Sequence, residues 1–470
     1  MRKVQVFFRV DGNAAIGLGH LIRSLALARM LDQCFSIHFL IREAPEAFKN
    51  DLNRFGFECT AIHNEAEWIM NLQFGQIVVV DNYTFDIEVQ RTIRQRGAKL
   101  VCIDDLGDRD FDADLIINHA PDIEHYIAQP YTKFALGTDF ALLRPEFLKV
   151  NPKKRTSNIE TLFICFGGSD FNNCTLESLQ AAVEIEQLNK IDIVIGASYL
   201  YKETLSAYVT DKRVNLHHDV NENQIVKLLM DADVAIVPAS GILYEAVAIS
   251  PIIISGTYTN NQEKLFAGFS KLEGIDITTS FQYSAIKDAI TKALALEINQ
   301  DRKTIIDGNS PKRINLKFYD LGLNIREASV RDCKLLFNWA NDKAVRDSSI
   351  RQETITLDGH QKWFYAKLNS KQTKISILEF FGIPVGQIRY DQIDSGWEMD
   401  YSIDSDYRGM GLGNKIIEMT IDGFVKDGIK AVVKNENERS NKIFENFGFT
   451  KGDVIMKDEL LLNTYYKRQQ

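Results

Sequence analysis

The sequence predicts an α/β chain built as two doubly wound lobes followed by a smaller domain of α+β order. Three observations carry this reading. The 470 residues exceed what one compact core holds, and ordinary domain sizes point to about three packing units. Short apolar runs alternate with longer helical patterns as far as residue 310. Past residue 322 the order changes to a helix followed by neighbouring strand-like runs.

In the first lobe, residues 1–151, the apolar runs are Val4–Val10, Ile37–Ile41, Ile77–Val80, Leu100–Ile103 and Leu115–Ile117, with a helical stripe over Leu21–Leu31. Strands separated by helices imply right-handed βαβ units and a parallel sheet. The polar stretch 151–158 (NPKKRTSN) reads as a linker. The second lobe, residues 158–310, repeats the pattern with Thr161–Phe166, Ile191–Ile195, Val234–Val237 and Ile252–Ile254. Ligands of such folds sit at the carboxyl ends of strands, which puts the site in the cleft between the lobes. Residues 311–322 read as a second linker. The third domain, residues 323–470, opens with a helical segment at Asp332–Asn341 and continues with strands at Lys374–Phe380, Gln387–Asp391 and Trp397–Ile403. A glycine-rich turn, a helix over Asn414–Lys426 and a strand at Lys430–Lys434 follow.

The composition narrows the function classes. A formal charge of −9 argues against general nucleic-acid binding, which needs a basic face. Six scattered cysteines without a CxxC pair indicate neither a disulfide framework nor a zinc site and fit a reducing compartment. No run approaches the roughly 20 apolar residues of a spanning helix, and Arg9 and Asp11 interrupt the first apolar stretch too early for a secretion signal. The expectation is a cytoplasmic protein without membrane insertion.

The first strand ends at Val10 and runs into Asp11-Gly-Asn-Ala-Ala-Ile-Gly17-Leu-Gly19-His20, where a helix begins. Glycines at a strand-to-helix turn allow close approach of a ligand to the backbone, and the open N–H groups of a helix start favour an anion such as a diphosphate. His20, in the first helical turn, feels the positive end of the helix dipole, which disfavours imidazolium and leaves a ring able to accept a proton. Taken alone, the same pattern also describes a partly exposed histidine at a helix start. In the second lobe, Phe166-Gly167-Gly168-Ser169-Asp170 is again a strand followed by a turn suited to phosphate, and Ser240-Gly241-Ile-Leu-Tyr-Glu245, Pro251 and Asn260-Asn261-Gln262 stand further on.

Phe8-Arg9-Val-Asp11, Ile16-Gly17-Leu-Gly19-His20-Leu-Ile-Arg23, Val80-Asp81-Asn-Tyr83, Asp104-Asp105-Leu and Leu136-Gly137 through Arg144-Pro145-Glu146-Phe147 resemble, in order, the motifs of the pseudaminic-acid-pathway UDP-sugar hydrolases. The second-lobe motifs resemble the nucleotide half of the same hydrolases and of the related peptidoglycan N-acetylglucosaminyltransferases. The resemblance covers nearly all of residues 1–300 and implies a GT-B-like pair of lobes that hydrolyses a UDP-linked 2,4-diacetamido-2,4,6-trideoxy-L-altrose without a metal. It implies a catalytic set of His20 as base with Asp11, Tyr83 and Asn261. Substrate contacts would come from Arg9, Gly17, Gly19, Arg23, Gly167, Gly168, Ser240, Glu245 and Gln262, with Glu245 holding the ribose hydroxyls. Gly12-Asn13 departs from the family's Ala-Ser.

In the third domain, Arg408-Gly409-Met-Gly411-Leu-Gly413 follows a strand and opens a helix, and Asn437-Glu-Arg-Ser440-Asn441 leads through Phe444 to Phe447-Gly-Phe449. With Ile325-Arg-Glu-Ala, Trp339-Ala-Asn-Asp342 and His360-Gln-Lys-Trp363-Phe364, these resemble the GNAT acetyltransferases over about residues 323–455. The resemblance implies acetyl-CoA as cosubstrate, bound by Arg408, Gly409, Gly411, Gly413, Asn437 and Asn441. Phe444 stands where the family commonly has the tyrosine that protonates the leaving thiolate, and Tyr401 and Tyr407 are the nearby substitutes. Glu398 and Asp400 flank the turn on a strand whose neighbours alternate faces, so neither is assigned as base. His360 reads as structural.

Together the resemblances imply two consecutive steps, N-acetylation of a UDP-linked 4-amino sugar and hydrolysis of the diacetamido product. Three other readings share the motifs: a glycosyltransferase in the front half, an acetyltransferase for a different amine, and a C-terminal module that binds CoA without turnover.

Overall fold

The computed structural model describes residues 3–13, 18–122, 126–168, 170–196, 198–218, 220–298, 303–458 and 460–468. Two compact units meet in sequence at Lys317 and Phe318.

The front unit contains two large parallel sheets and a small two-stranded one that pairs Asp110–Phe111 with Ile127–Ala128. The first has seven strands in the spatial order Glu58–Ala61, Phe35–Ile41, Val4–Val10, Ile77–Asp81, Lys99–Ile103, Leu115–Asn118 and Lys133–Leu136. Every described pairing in it is parallel. The order runs outward in both directions from Val4–Val10 and Ile77–Asp81, and the crevice at such a reversal is where α/β sheets bind ligands. The second sheet has six strands, ordered Val214–His218, Lys190–Ile195, Thr161–Cys165, Val234–Pro238, Ile252–Gly256 and Ile277–Thr278.

Alternation along these strands sorts side chains onto two faces. Leu162, Ile164, Ile191, Ile193, Val234 and Ile236 enter one core, whereas Phe163, Cys165, Val194, Ala235 and Val237 enter the other. Each fully buried aliphatic side chain contributes roughly 1.5–3 kcal/mol by its removal from water, so both faces of the sheet need helical cover. The 151–158 segment is anchored rather than loose, because Arg155 donates to both oxygens of Asp276 at 2.8 and 2.7 Å.

The 311–322 stretch differs from the expected linker. Ser310–Asp320 is a helix in which Ile314 and Phe318, four residues apart, are fully buried. Its polar composition hides this i, i+4 apolar pair, and a proline close to the helix start suits the first turn.

The C-terminal unit is built on a seven-stranded sheet in the order Leu323–Glu327, Thr373–Phe380, Ile383–Ile393, Gly396–Ile403, Ile429–Lys434, Leu460–Lys467 and Thr450–Lys457. Its pairings are antiparallel except that between Gly396–Ile403 and Ile429–Lys434. Helices Cys333–Ala340 and Leu357–Leu368 pack Leu336, Trp339 and Phe364 against Ile375 and Ile377. The helix expected over Asn414–Lys426 is shorter, Leu412–Glu418, and a 3-10 turn at Ile421–Gly423 follows it. No described helix is long and apolar enough to cross a membrane.

Candidate active sites

Four neighbouring strands of the first sheet deliver the chemistry of the front unit from their carboxyl ends: Asp11 follows Val10, Asp81 closes its strand, Asp105 lies two residues past Ile103, and His119 follows Asn118. His20 joins them from the first turn of helix Gly19–Leu31, whose start has no side-chain cap. Its Nδ1 lies 2.6 Å from Asp81 Oδ1. An ionised carboxylate can only accept, so Nδ1 carries a proton and, in the neutral ring, Nε2 is the nitrogen with the lone pair. The 2.9 Å approach of Arg23 to the same Nδ1 is then a contact of two donors, tolerated because both face Asp81.

Arg23 bridges the network. Its Nε and Nη2 donate to Asp81 at 2.7 and 2.6 Å, and its Nη1 donates to Asp105 at 2.7 Å. Burial alone would raise the Asp81 carboxyl, but the Arg23 charge and the hydrogen bonds from Arg23 and His20 hold it at about 2. Tyr83 closes the ring of contacts: its hydroxyl donates to Asp105 at 2.7 Å, and its ring meets His20 edge-on at 4.8 Å. Burial and then the Asp105 charge push the Tyr83 phenol well above its usual range.

Arg9 and Asp11 stand in a neighbouring brace. Arg9, 1% exposed, donates to Glu65 at 2.7 Å and pairs with Asp11 at 2.7 Å. Asp11 Oδ1 accepts the backbone N–H groups of Arg42 at 2.7 Å and Glu43 at 3.1 Å. Both side chains tie the end of strand Val4–Val10 to Glu65 and to the residues that follow strand Phe35–Ile41. Gly17 lies outside the described residues, and a Cβ at Gly19 would meet nothing within 4 Å.

On the second lobe, Gly167 adopts φ +81°, and a Cβ at Gly167 or Gly168 would meet nothing within 4 Å, so this turn is open to a ligand. From below, Gly196 packs so closely that a Cβ there would stand 2.6 Å from Gly168 Cα. Asp170 accepts the N–H groups of Cys174 and Thr175 at 2.9 and 2.8 Å, which leaves the glycine amides rather than that helix start for an anion. Helix Gly241–Ile249 begins after Ser240 without a side-chain cap. Glu245, buried in it, accepts from Nε and Nη2 of Arg144 at 2.8 and 2.7 Å. Gln262 is buried and accepts Tyr258 N–H at 3.0 Å, whereas the exposed Asn261 accepts the Thr259 hydroxyl at 2.6 Å.

In the C-terminal unit the parallel strands Gly396–Ile403 and Ile429–Lys434 pair with each other only from Trp397–Ile429 to Met399–Ala431 and then part, each still paired on its other side. Beside the opening, Gly409 at φ +83° and Gly411 at φ +79° lead into helix Leu412–Glu418, which has no side-chain cap. A Cβ at Gly413 would stand 3.2 Å from the Tyr401 ring, so glycine is what lets this helix approach the strand. Residues 323–450 match the family described as the acetyltransferase (GNAT) domain.

The C-terminal unit carries a GNAT domain. The front part of the chain is homologous to the UDP-2,4-diacetamido-2,4,6-trideoxy-beta-L-altropyranose hydrolase of Campylobacter jejuni, with 25% identity over 57% of this chain and 97% of that one. An uncharacterized protein, MJ1062, of Methanocaldococcus jannaschii is 23% identical over 94% of this chain and 96% of its own. Among solved structures, yncA of Salmonella typhimurium, a putative acetyltransferase with acetyl-CoA, is 19% identical over 31% of this chain and 94% of its own, with a TM-score of 0.28.

In the GNAT domain, the predicted polar residues are engaged with the protein itself. Arg408 donates to Asp342 at 2.6 Å and to the Ile403 carbonyl at 3.0 Å. Asn437 caps helix Glu438–Asn446 by accepting Ser440 N–H at 3.2 Å. Asn441 donates to the Asn437 carbonyl at 2.9 Å and accepts from Asn463 and Tyr465 at 2.9 Å each. Their side chains shape the opening, and the glycine amides are what remain for a ligand. Tyr401 lies past the point where the two strands part, its hydroxyl 3.3 Å from the Ser440 hydroxyl and its ring 6.3 Å from Phe444. His360 is buried, its Nε2 3.1 Å from the Cys333 carbonyl, and burial lowers its pKa. Among the described residues no group of three His, Cys, Asp or Glu side chains could hold a metal ion.

The motifs named Asp81, Asp105 and Arg144 without giving them work. The signal for Asp81 and Asp105 was their place at adjacent strand ends. His119 carried no sequence signal.

Proposed function

We propose that the chain performs two steps on one UDP-linked amino sugar: acetyl-CoA-dependent N-acetylation of the 4-amine by the GNAT domain, then hydrolysis of UDP-2,4-diacetamido-2,4,6-trideoxy-β-L-altrose in a GT-B-like front unit. The observation that carries it is the contact of His20 Nδ1 with Asp81 at 2.6 Å, which fixes the tautomer a general base needs. In this reading His20 Nε2 takes a proton from water while the water oxygen bonds to the anomeric carbon. The bond from that carbon to the β-phosphate oxygen breaks, and its electron pair leaves with UDP. Asp81, ionised throughout, stabilises the imidazolium that forms.

The open Gly167-Gly168 turn and the uncapped start of Gly241–Ile249 offer backbone N–H groups to the departing diphosphate. Glu245 presents to the ribose hydroxyls the lone pairs that Arg144 leaves free. Tyr83, whose phenol stays protonated, and Asn261 line the sugar side.

In the GNAT domain the amides of Gly409 and Gly411 fit a pyrophosphate, and the gap between the strands past Met399 fits the extended arm of acetyl-CoA. Acetyl-CoA supplies the activated acyl group. The Tyr401 hydroxyl, rather than Phe444, stands at the opening to protonate the thiolate.

The test is NMR of the full chain with acetyl-CoA and the UDP-4-amino-4,6-dideoxy-L-AltNAc intermediate. Wild type yields the free diacetamido sugar and UDP, while His20→Ala accumulates the acetylated UDP-sugar. A wild type that leaves the intermediate untouched but hydrolyses authentic diacetamido UDP-sugar would remove the first step. UDP release that requires an added sugar acceptor would make the front unit a glycosyltransferase.

A further inference from the structure

His119 follows strand Leu115–Asn118 and is nine-tenths buried. Its ring stacks on Tyr244, with centroids 4.3 Å apart and planes 11° from parallel. Its Nδ1 accepts the Leu142 backbone N–H at 3.0 Å. A backbone amide only donates, so Nδ1 is unprotonated and the neutral ring carries its proton on Nε2. Burial first, and the Arg23 charge second, push this histidine down to about 3 against the opposing pull of Asp105 and Asp81. The ring is therefore neutral at any pH near 7, and its tautomer is set by the main chain.

Nε2 has no hydrogen-bond partner among the described residues, and it is not one of the polar atoms sealed from solvent. A donor held in one orientation, free of protein partners and open to solvent, is available to an acceptor that enters the site. Its surroundings define that acceptor. Tyr244, on which it stacks, lies in the first turn of Gly241–Ile249, the helix whose opening N–H groups lack a side-chain cap. The Arg23 charge is felt at both His119 and Tyr244. The ring therefore packs on the first turn of that helix and feels the Arg23 charge of the His20 network.

We propose that His119 is a substrate-binding residue whose Nε2–H donates to an oxygen of the diphosphate that leaves the sugar. This rests on the sugar-nucleotide reading of the front unit. A neutral donor of fixed tautomer gives up no proton to the leaving group. It holds the oxygen on which the bonding electron pair collects, so its contribution grows as that charge develops.

Two substitutions separate this role from a structural one. His119→Asn keeps an acceptor near the Nδ1 position for Leu142 N–H but has no donor at Nε2. His119→Gln places an amide N–H near Nε2 and loses the Nδ1 acceptor. Full-length wild type and both variants are assayed for UDP release from the diacetamido UDP-sugar and for UDP affinity by calorimetry. The expected result is a loss of about tenfold or more in kcat/KM for the asparagine variant, the scale of one hydrogen bond to a charged group. UDP binding weakens in parallel, and the glutamine variant stays within about threefold of wild type. The reverse order, equal losses in both, or no loss in either overturns the assignment. Because calorimetry needs no turnover, a wild type that binds UDP but releases none from the sugar nucleotide sinks the hydrolase reading and leaves the comparison of variants intact.

Discussion

The two sites use glycine turns in opposite company. The front unit also carries an interlocked set of ionisable side chains, His20, Asp81, Arg23, Asp105 and Tyr83, each touching the next within hydrogen-bond reach. In the GNAT domain the polar side chains of the motifs, Arg408, Asn437 and Asn441, bind other parts of the protein, and the ligand-facing surface is left to main chain. One site therefore encodes its chemistry in side-chain identity and the other in backbone shape. The front site should fail when a functional group is changed, and the GNAT site when a Cβ is added.

The sharpest break in that comparison is His20→Ala. On the proposed function, loss of His20 as base should lower hydrolytic kcat by about 10²–10⁴ while leaving acetyl transfer unchanged, read by coupled UDP and CoA release on the same preparation. Equal loss of both activities would mean that the two sites are not chemically separate. Asp81→Asn should cost a comparable amount, up to about 10⁴-fold in kcat, because an amide can donate to Nδ1 and stabilise the wrong tautomer.

Asp81 also makes a stability prediction. Its carboxyl is depressed to about 2, below the unfolded value, so its contribution is fully present above pH about 4 and is lost as pH falls from about 4 to about 2. The contribution is about 2 kcal/mol. Acid titration of unfolding in His20→Ala, which preserves the Arg23 pair, should retain most of this slope, and in Asp81→Asn it should shrink. An unchanged acid limb in Asp81→Asn would show that Arg23 does not hold the carboxylate ionised.

How much of this was legible in the sequence follows the same division. Parallel strands are legible as apolar runs such as Ile77–Val80, and His20 as a candidate base at a helix start, but the contacts that join it to Asp81 and Asp105 are given only by the fold. Helix Ser310–Asp320 escaped because its buried side chains, Ile314 and Phe318, are sparse among polar residues. The work of Arg9 escaped for another reason: an arginine in a motif reads as an anion binder, and only the fold reveals Glu65, 56 residues away, as its partner. His119 is further still from sequence. Its donor exists because Leu142 N–H occupies the other nitrogen, a main-chain contact that no side-chain pattern encodes.

On the GNAT side, Gly413→Val should weaken acetyl-CoA binding by about tenfold or more and leave UDP-sugar hydrolysis unchanged. A Cβ would already stand 3.2 Å from the Tyr401 ring, and two further methyl groups would drive the helix off the strand. Isothermal titration with CoA checks it. Affinity equal to wild type would mean that the close approach of helix and strand does not form the binding surface.

Tyr401→Phe carries the smallest expected effect. A thiol with an ordinary pKa near 8.5 leaves tolerably as thiolate, so losing its proton donor should slow acetyl transfer only several-fold. Burial raises the Tyr401 phenol, which keeps it protonated and able to donate across the neutral range. The diagnostic is therefore the alkaline limb of kcat: wild type should fall as the phenol ionises, and the phenylalanine variant should start lower and lack that fall. Should the two profiles be parallel, the proton comes from elsewhere. The Ser440 hydroxyl, 3.3 Å from that of Tyr401, is the group to remove next.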